Sequence, residues 1–94
     1  MANRENNANT SYFDASGDAA LLKTGPGVIG KLVVHTVGTG ATVILYDNTA
    51  ASGNILYSWA TADGKVERSL DARFETGLYL QITGTTPGGI VTWS

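Results

Sequence analysis

The chain has 94 residues, a net charge of −2 and charged side chains at only 15% of its positions, and this length favours a single domain. The basic residues Arg68 and Arg73 are interleaved with acidic residues, so the chain lacks the basic stripe that a phosphate backbone requires, and direct nucleic-acid binding is not expected. The absence of cysteine excludes disulfides and thiolate metal sites, and the apolar runs are far shorter than the ~20 residues of a membrane-spanning helix.

The N-terminal residues 1–18 are polar and contain one apolar pair, Tyr12-Phe13. A segment of this composition cannot form a core of its own. It is therefore either a disordered tail or an arm ordered against a neighbouring subunit, with the two aromatic residues as anchors. We predict an extended N-terminal arm over residues 1–18, followed by a folded domain over residues 19–94.

From Ala19 onward, short apolar and β-branched runs alternate with turns rich in glycine. The dipeptide Asp63-Gly64 is typical of a two-residue hairpin turn, so the strand after it is expected to pair with the strand before it. Apolar residues at helical spacing are lacking, and residues 15–22 are the one place where a single helical turn would fit. The predicted strands cover residues 28–37, 42–47, 55–61, 66–70, 78–83 and 90–93, and residues 19–24 form a further short apolar run.

About seven strands at near-regular spacing indicate an all-β fold. The pattern favours an antiparallel β-sandwich with jelly-roll-like topology, preceded by the N-terminal arm. A domain of this size buries only about 60–65% of the surface that its unfolded chain exposes, so contacts with a partner would add to a small stability. Few charges on the surface also favour a self-associated or docked state.

The residue types that carry chemistry are sparse and are not arranged as in known sites. His35 is the sole histidine and lies within a predicted strand, without a nucleophile motif or an orienting carboxylate near it in sequence. We interpret it as strand surface or as a contact between subunits, with a pH-sensitive interface left open. Asp47-Asn48 is better explained by side-chain hydrogen bonds to a turn than by metal binding. We therefore predict no enzymatic activity, no metal and no cofactor.

Two aromatic residues, Tyr57 and Trp59, share one face of a predicted strand. If that face is exposed, the rings would be able to stack on sugars; otherwise they pack in the core or at a subunit interface. The predicted partner contacts of the chain are Tyr12, Phe13, His35, Tyr57 and Trp59.

Three segments resemble small β-rich virion proteins of tailed bacteriophages, in particular the capsid decoration, or cement, proteins. The segments are GKLVVHT at residues 30–36, ATVILYDNTAASGN at residues 41–54 and GLYL at residues 77–80. The resemblance spans residues 30–93 and carries over no catalytic residue. It implies a trimeric sandwich or jelly roll that is seated on a capsid shell.

The expected function is therefore that of a non-enzymatic structural protein that decorates and stabilises a phage capsid as a homotrimer. Its partners would be other copies of itself and the major capsid protein, with neither nucleic acid nor a membrane. It would be made in the host cytoplasm and located on the capsid surface of the virion. Two alternatives remain open. One is a carbohydrate- or receptor-binding module of a phage tail or spike, which would use Tyr57, Trp59 and loop residues such as Asn48 and Asn54. The other is a minor tail or neck component.

Overall fold

A computed structural model of the protein describes residues 9–14 and 20–94. Within these ranges the chain forms eight β-strands and one three-residue 3-10 turn, Thr61–Asp63, and has no α-helix. The predicted all-β fold is confirmed. The strands are β1 (Asn9–Phe13), β2 (Ala20–Thr24), β3 (Gly27–Thr36), β4 (Thr39–Asp47), β5 (Asn54–Ala60), β6 (Val66–Phe74), β7 (Gly77–Thr85) and β8 (Gly88–Trp93).

The strands form two antiparallel sheets of four strands each. Sheet A has the order β1-β8-β3-β6, and sheet B has the order β2-β7-β4-β5. The first and last of the described strands are paired, from Asn9 opposite Trp93 to Phe13 opposite Gly89. The β-sandwich predicted from the spacing of the strands is therefore present.

The core lies between the two sheets and follows from the alternation of apolar residues along each strand. In β4, Ala41, Val43 and Leu45 point inward, and a bulge in β3 near Gly30 changes the phase of the inward positions in that strand. No polar or charged residue is buried in residues 9–14 and 20–94. The core residues are Phe13, Ile29, Leu32, Val34, Ala41, Val43, Leu45, Trp59, Phe74, Leu78, Leu80, Ile82, Val91 and Trp93.

Part of the expected N-terminal arm belongs to the sandwich, which corrects its assignment to residues 1–18. Residues 9–13 form β1 at the edge of sheet A, and Phe13 is only 2% exposed. The composition of this segment cannot form a separate core, but an edge strand needs only one inward apolar side chain because β8 supplies the rest of the sheet. Residues 1–8 and 15–19, which include most of the suggested helical turn, lie outside the described residues.

The dipeptide Asp63-Gly64 does not close a hairpin, which corrects the expected pairing of the strands on either side of it. β5 pairs with β4 in sheet B, whereas β6 pairs with β3 in sheet A. The 3-10 turn precedes Gly64, which adopts φ 73°, and the indole N–H of Trp59 donates to the Gly64 carbonyl at 2.8 Å. This connection carries the chain from one sheet to the other.

Candidate functional site

A surface cleft of about 260 Å³ lies where the end of β1 meets the end of β3. It is lined by Tyr12, Phe13, Asp14, His35 and Gly89. The cleft brings together three of the five residues that the sequence predicts as partner contacts, and these come from two distant parts of the chain. Their role as contacts stays a prediction, but their proximity is a finding.

The two aromatic residues of the cleft have opposite environments. Tyr12 is 77% exposed, the largest exposure of any large apolar residue in the described ranges, whereas Phe13 packs into the core. Successive side chains of a strand point to opposite faces, which explains the difference. Gly89 lets β1 and β3 approach β8 closely, since a methyl group there would collide with the Val33 carbonyl oxygen and lie 3.0 Å from Phe13 Cζ.

His35 is exposed at the end of β3, with its Nδ1 3.0 Å from the Thr36 hydroxyl. Together with Tyr12 it offers an imidazole and a phenol ring to solvent. Such groups can stack on and hydrogen-bond to a partner. In the described part of the chain, no three His, Cys, Asp or Glu residues are grouped so that they could hold a metal ion.

Tyr57 and Trp59 do share one face of β5, but that face points into the sandwich. Trp59 is fully buried and Tyr57 packs half-buried against the core. This burial corrects the prediction of Trp59 as a partner contact, because its ring presents no surface to a sugar or to another protein. Its indole N–H has an internal acceptor, the Gly64 carbonyl.

A second surface, on the outer face of sheet B, was not singled out by the sequence. One residue from each strand lies in a single row across the sheet, because Leu21 pairs with Tyr79, Tyr79 with Tyr46, and Tyr46 with Ile55. We refer to these four residues as the tyrosine row. Leu21 is 43% exposed and Ile55 is 55% exposed at its two ends. The alternation of Tyr79 with buried leucines indicates that it points outward, but the neighbours of Tyr79 depend on strand pairing that the sequence does not reveal.

Asp47 holds the end of β4 against the turn between β6 and β7. Its carboxylate accepts backbone N–H bonds from Glu75 at 3.1 Å, from Thr76 at 2.8 Å and from Gly77 at 3.4 Å. These bonds stabilise the charged form of the carboxyl and lower the pKa of Asp47 below its usual 3.8, and the bond from Thr76 has the largest effect.

Asn48 forms the local turn that was predicted for the Asp47-Asn48 pair. Its side-chain oxygen accepts the Thr49 N–H at 2.7 Å, and its amide group donates to the Ser52 carbonyl at 2.9 Å. Asp47, in contrast, bonds to residues almost thirty positions away, so its contribution is to tertiary rather than to local structure.

Comparison with known proteins gives no relative: no family model, no curated protein and no solved structure matches the chain. Residues 9–14 and 20–94 contain no helix that is long and apolar enough to cross a membrane.

Proposed function

We propose that the protein is a non-enzymatic structural protein of a phage virion, which decorates and stabilises the capsid as a homotrimer. Its partners would be further copies of the chain and the major capsid protein. The proposal is supported by the resemblance of residues 30–36, 41–54 and 77–80 to such proteins and, above all, by the order of the strands.

The strand order supports a jelly-roll interpretation of the sandwich. Four pairs of neighbours, β1 with β8, β2 with β7, β3 with β6 and β4 with β5, are those that form when one long antiparallel ribbon folds over into two sheets. Eight-stranded jelly rolls of this kind serve as capsid and lectin domains. The architecture therefore fits an assembly or recognition role.

The Tyr12–His35 cleft is the surface that we assign to contacts in the assembled particle. Tyr12 is highly exposed on an edge strand, and aromatic residues provide large contact areas at small entropic cost. Burial of apolar surface contributes about 25 cal/mol per Å², and repeated contacts over a shell add up to much greater resistance to opening.

Light scattering and binding to isolated shells test this function. The purified protein should have three times the 9.8 kDa mass of the chain and should co-sediment with empty capsids of its phage. Tyr12→Ala should weaken one or both associations, whereas Tyr79→Ala on the outer face of sheet B serves as the matched control. A monomer at high concentration that never sediments with shells would refute the proposal.

Electron microscopy of intact particles separates this proposal from the tail or neck alternative. Density for the chain over the shell supports decoration, and density confined to the tail vertex supports the alternative. The carbohydrate-binding alternative is weakened, because Trp59, one of the two rings that it would use to stack on sugars, is buried.

A further inference from the structure

We propose that the outer face of sheet B binds a neutral oligosaccharide, with Tyr46 and Tyr79 as the stacking platform. This inference goes beyond the structural role in a particle and does not rest on it. It is carried by the tyrosine row, by the polar side chains beside that row and by the absence of charge from this part of the face.

The geometry of the tyrosine row suits an extended chain of sugar rings. Neighbouring strands lie about 4.7–4.9 Å apart, so three strand intervals from Leu21 to Ile55 cover about 14 Å. One pyranose ring is comparable in length to one such interval. Tyr46 and Tyr79 are adjacent and half-buried at the middle of the row, where their rings form an amphipathic surface with a hydroxyl on each.

Hydrogen-bonding groups lie directly beside the rings. The next row across the sheet contains Gln81 and Ser58, on either side of Ile44. The Tyr46 hydroxyl donates to the side-chain oxygen of Gln81 at 3.1 Å, which holds the amide in place and leaves its NH₂ donors for a ligand. An amide and a hydroxyl group beside aromatic rings match the alternating apolar faces and hydroxyl groups of a sugar.

The charge of this surface selects a neutral ligand. The third row adds Thr42 and Thr83, whose hydroxyl groups are hydrogen-bonded to each other. The outer side of sheet A differs, since Lys31 and Glu67 form an ion pair there at 3.1 Å. The three rows on sheet B contain no charged side chain; their residues are Leu21, Tyr79, Tyr46, Ile55, Gln81, Ile44, Ser58, Thr83, Thr42 and Ala60.

The size of the three rows suits a short oligosaccharide. Four strands of up to nine residues give a sheet face of about 600 Å², and the three rows cover about half of it. A short oligosaccharide needs no more than this surface.

Titration with defined sugars, followed by backbone amide NMR, tests the site. The probes are neutral β-linked hexose oligosaccharides, with sialylated and sulfated oligosaccharides as the charged set. We expect saturable shifts confined to the four strands of sheet B with a neutral probe and none with the charged set. Mapping on the unaltered protein does not depend on whether any variant folds.

Variants then assign the binding to the rings. Tyr79→Ala should weaken binding of the neutral probe by about tenfold, which corresponds to one lost stacking contact. Val28→Ala truncates an exposed apolar side chain of sheet A and should leave the affinity unchanged. Tyr46→Phe should retain the stacking but lose part of the affinity. The absence of shifts with every neutral probe would overturn the proposal. So would shifts that lie outside sheet B, or self-association that Ile55→Asp abolishes.

Discussion

Asp47 joins two parts of the chain that are far apart in sequence, and its protonation should therefore affect stability. Folding lowers the pKa of this carboxyl below 3.8, so its contribution is fully present above that value and is lost as pH falls through the lower folded-state pKa. We expect Asp47→Asn to lower the urea midpoint at neutral pH, and the difference from the unaltered protein to shrink at strongly acidic pH.

Glu67→Gln is the matched control for this pH series. Glu67 forms an exposed ion pair with Lys31, and pairs of this kind contribute little. The urea midpoint of Glu67→Gln should equal that of the unaltered protein at each pH. If the difference in urea midpoint between Asp47→Asn and the unaltered protein stays constant from neutral to acidic pH, the assigned role of the carboxylate is wrong.

Gly89 is the residue whose small size allows three strands of sheet A to meet beside the cleft. A methyl group at this position would collide with the Val33 carbonyl oxygen, which belongs to the backbone and has little room to move. We expect Gly89→Ala to reduce the free energy of unfolding by about 1–3 kcal/mol. Ser69→Ala, at an exposed position of β6, should change it by less than about 0.5 kcal/mol in the same urea titration.

At the scale of elements, the edge strands differ in how they are protected from pairing with other chains. β6 carries several charges, among them Glu67 and Arg73, which discourage edge-to-edge pairing. β5 is seven residues long and uncharged, and is the longest uncharged edge strand of the described sheets. A bulge at its start shifts the register around Leu56, and the Asp63 carboxylate accepts the Ala60 N–H at 2.9 Å at its end.

Removal of the acceptor at the end of β5 should expose this edge. We expect Asp63→Ala to increase concentration-dependent association, because it frees the Ala60 N–H and removes a charge beside an uncharged strand. Sedimentation velocity over a concentration series measures the effect. Glu67→Ala on β6 is the control, and equal association in both variants would show that loss of charge alone is responsible.

The sequence predicts the strands well and their partners poorly. Alternation of apolar residues depends only on neighbours in the chain, and the strand predicted over residues 78–83 is present, with Leu78, Leu80 and Ile82 buried on one face. Pairing depends on distant segments. Asp63-Gly64 has the chemistry of a hairpin turn but connects two sheets, because β5 pairs with β4 and β6 pairs with β3.

The candidate site shows the same division between local and distant information. Composition and residue type single out Tyr12, Phe13 and His35 individually. Only the pairing of β8 with both β1 and β3 places them in one cleft. The tyrosine row is likewise not predicted from the sequence, because its four members come from four different strands.

For the whole molecule, the pairing of strands distant in sequence should make folding slow. The β1–β8 and β2–β7 pairs join the two ends of the chain, and folds of this type reach the native state in milliseconds to seconds. Stopped-flow fluorescence can follow this step, because Trp59 and Trp93 are both buried. Refolding in microseconds would contradict the expectation.

The position of β8 also has a consequence for how the protein is produced. Gly88–Trp93 is the eighth described strand in chain order, yet it lies inside sheet A between β1 and β3. While the ribosome still holds these residues, β1 lacks its partner and sheet A is limited to β3 and β6. Sheet A of the nascent polypeptide therefore cannot be completed until residues 88–93 have left the ribosome.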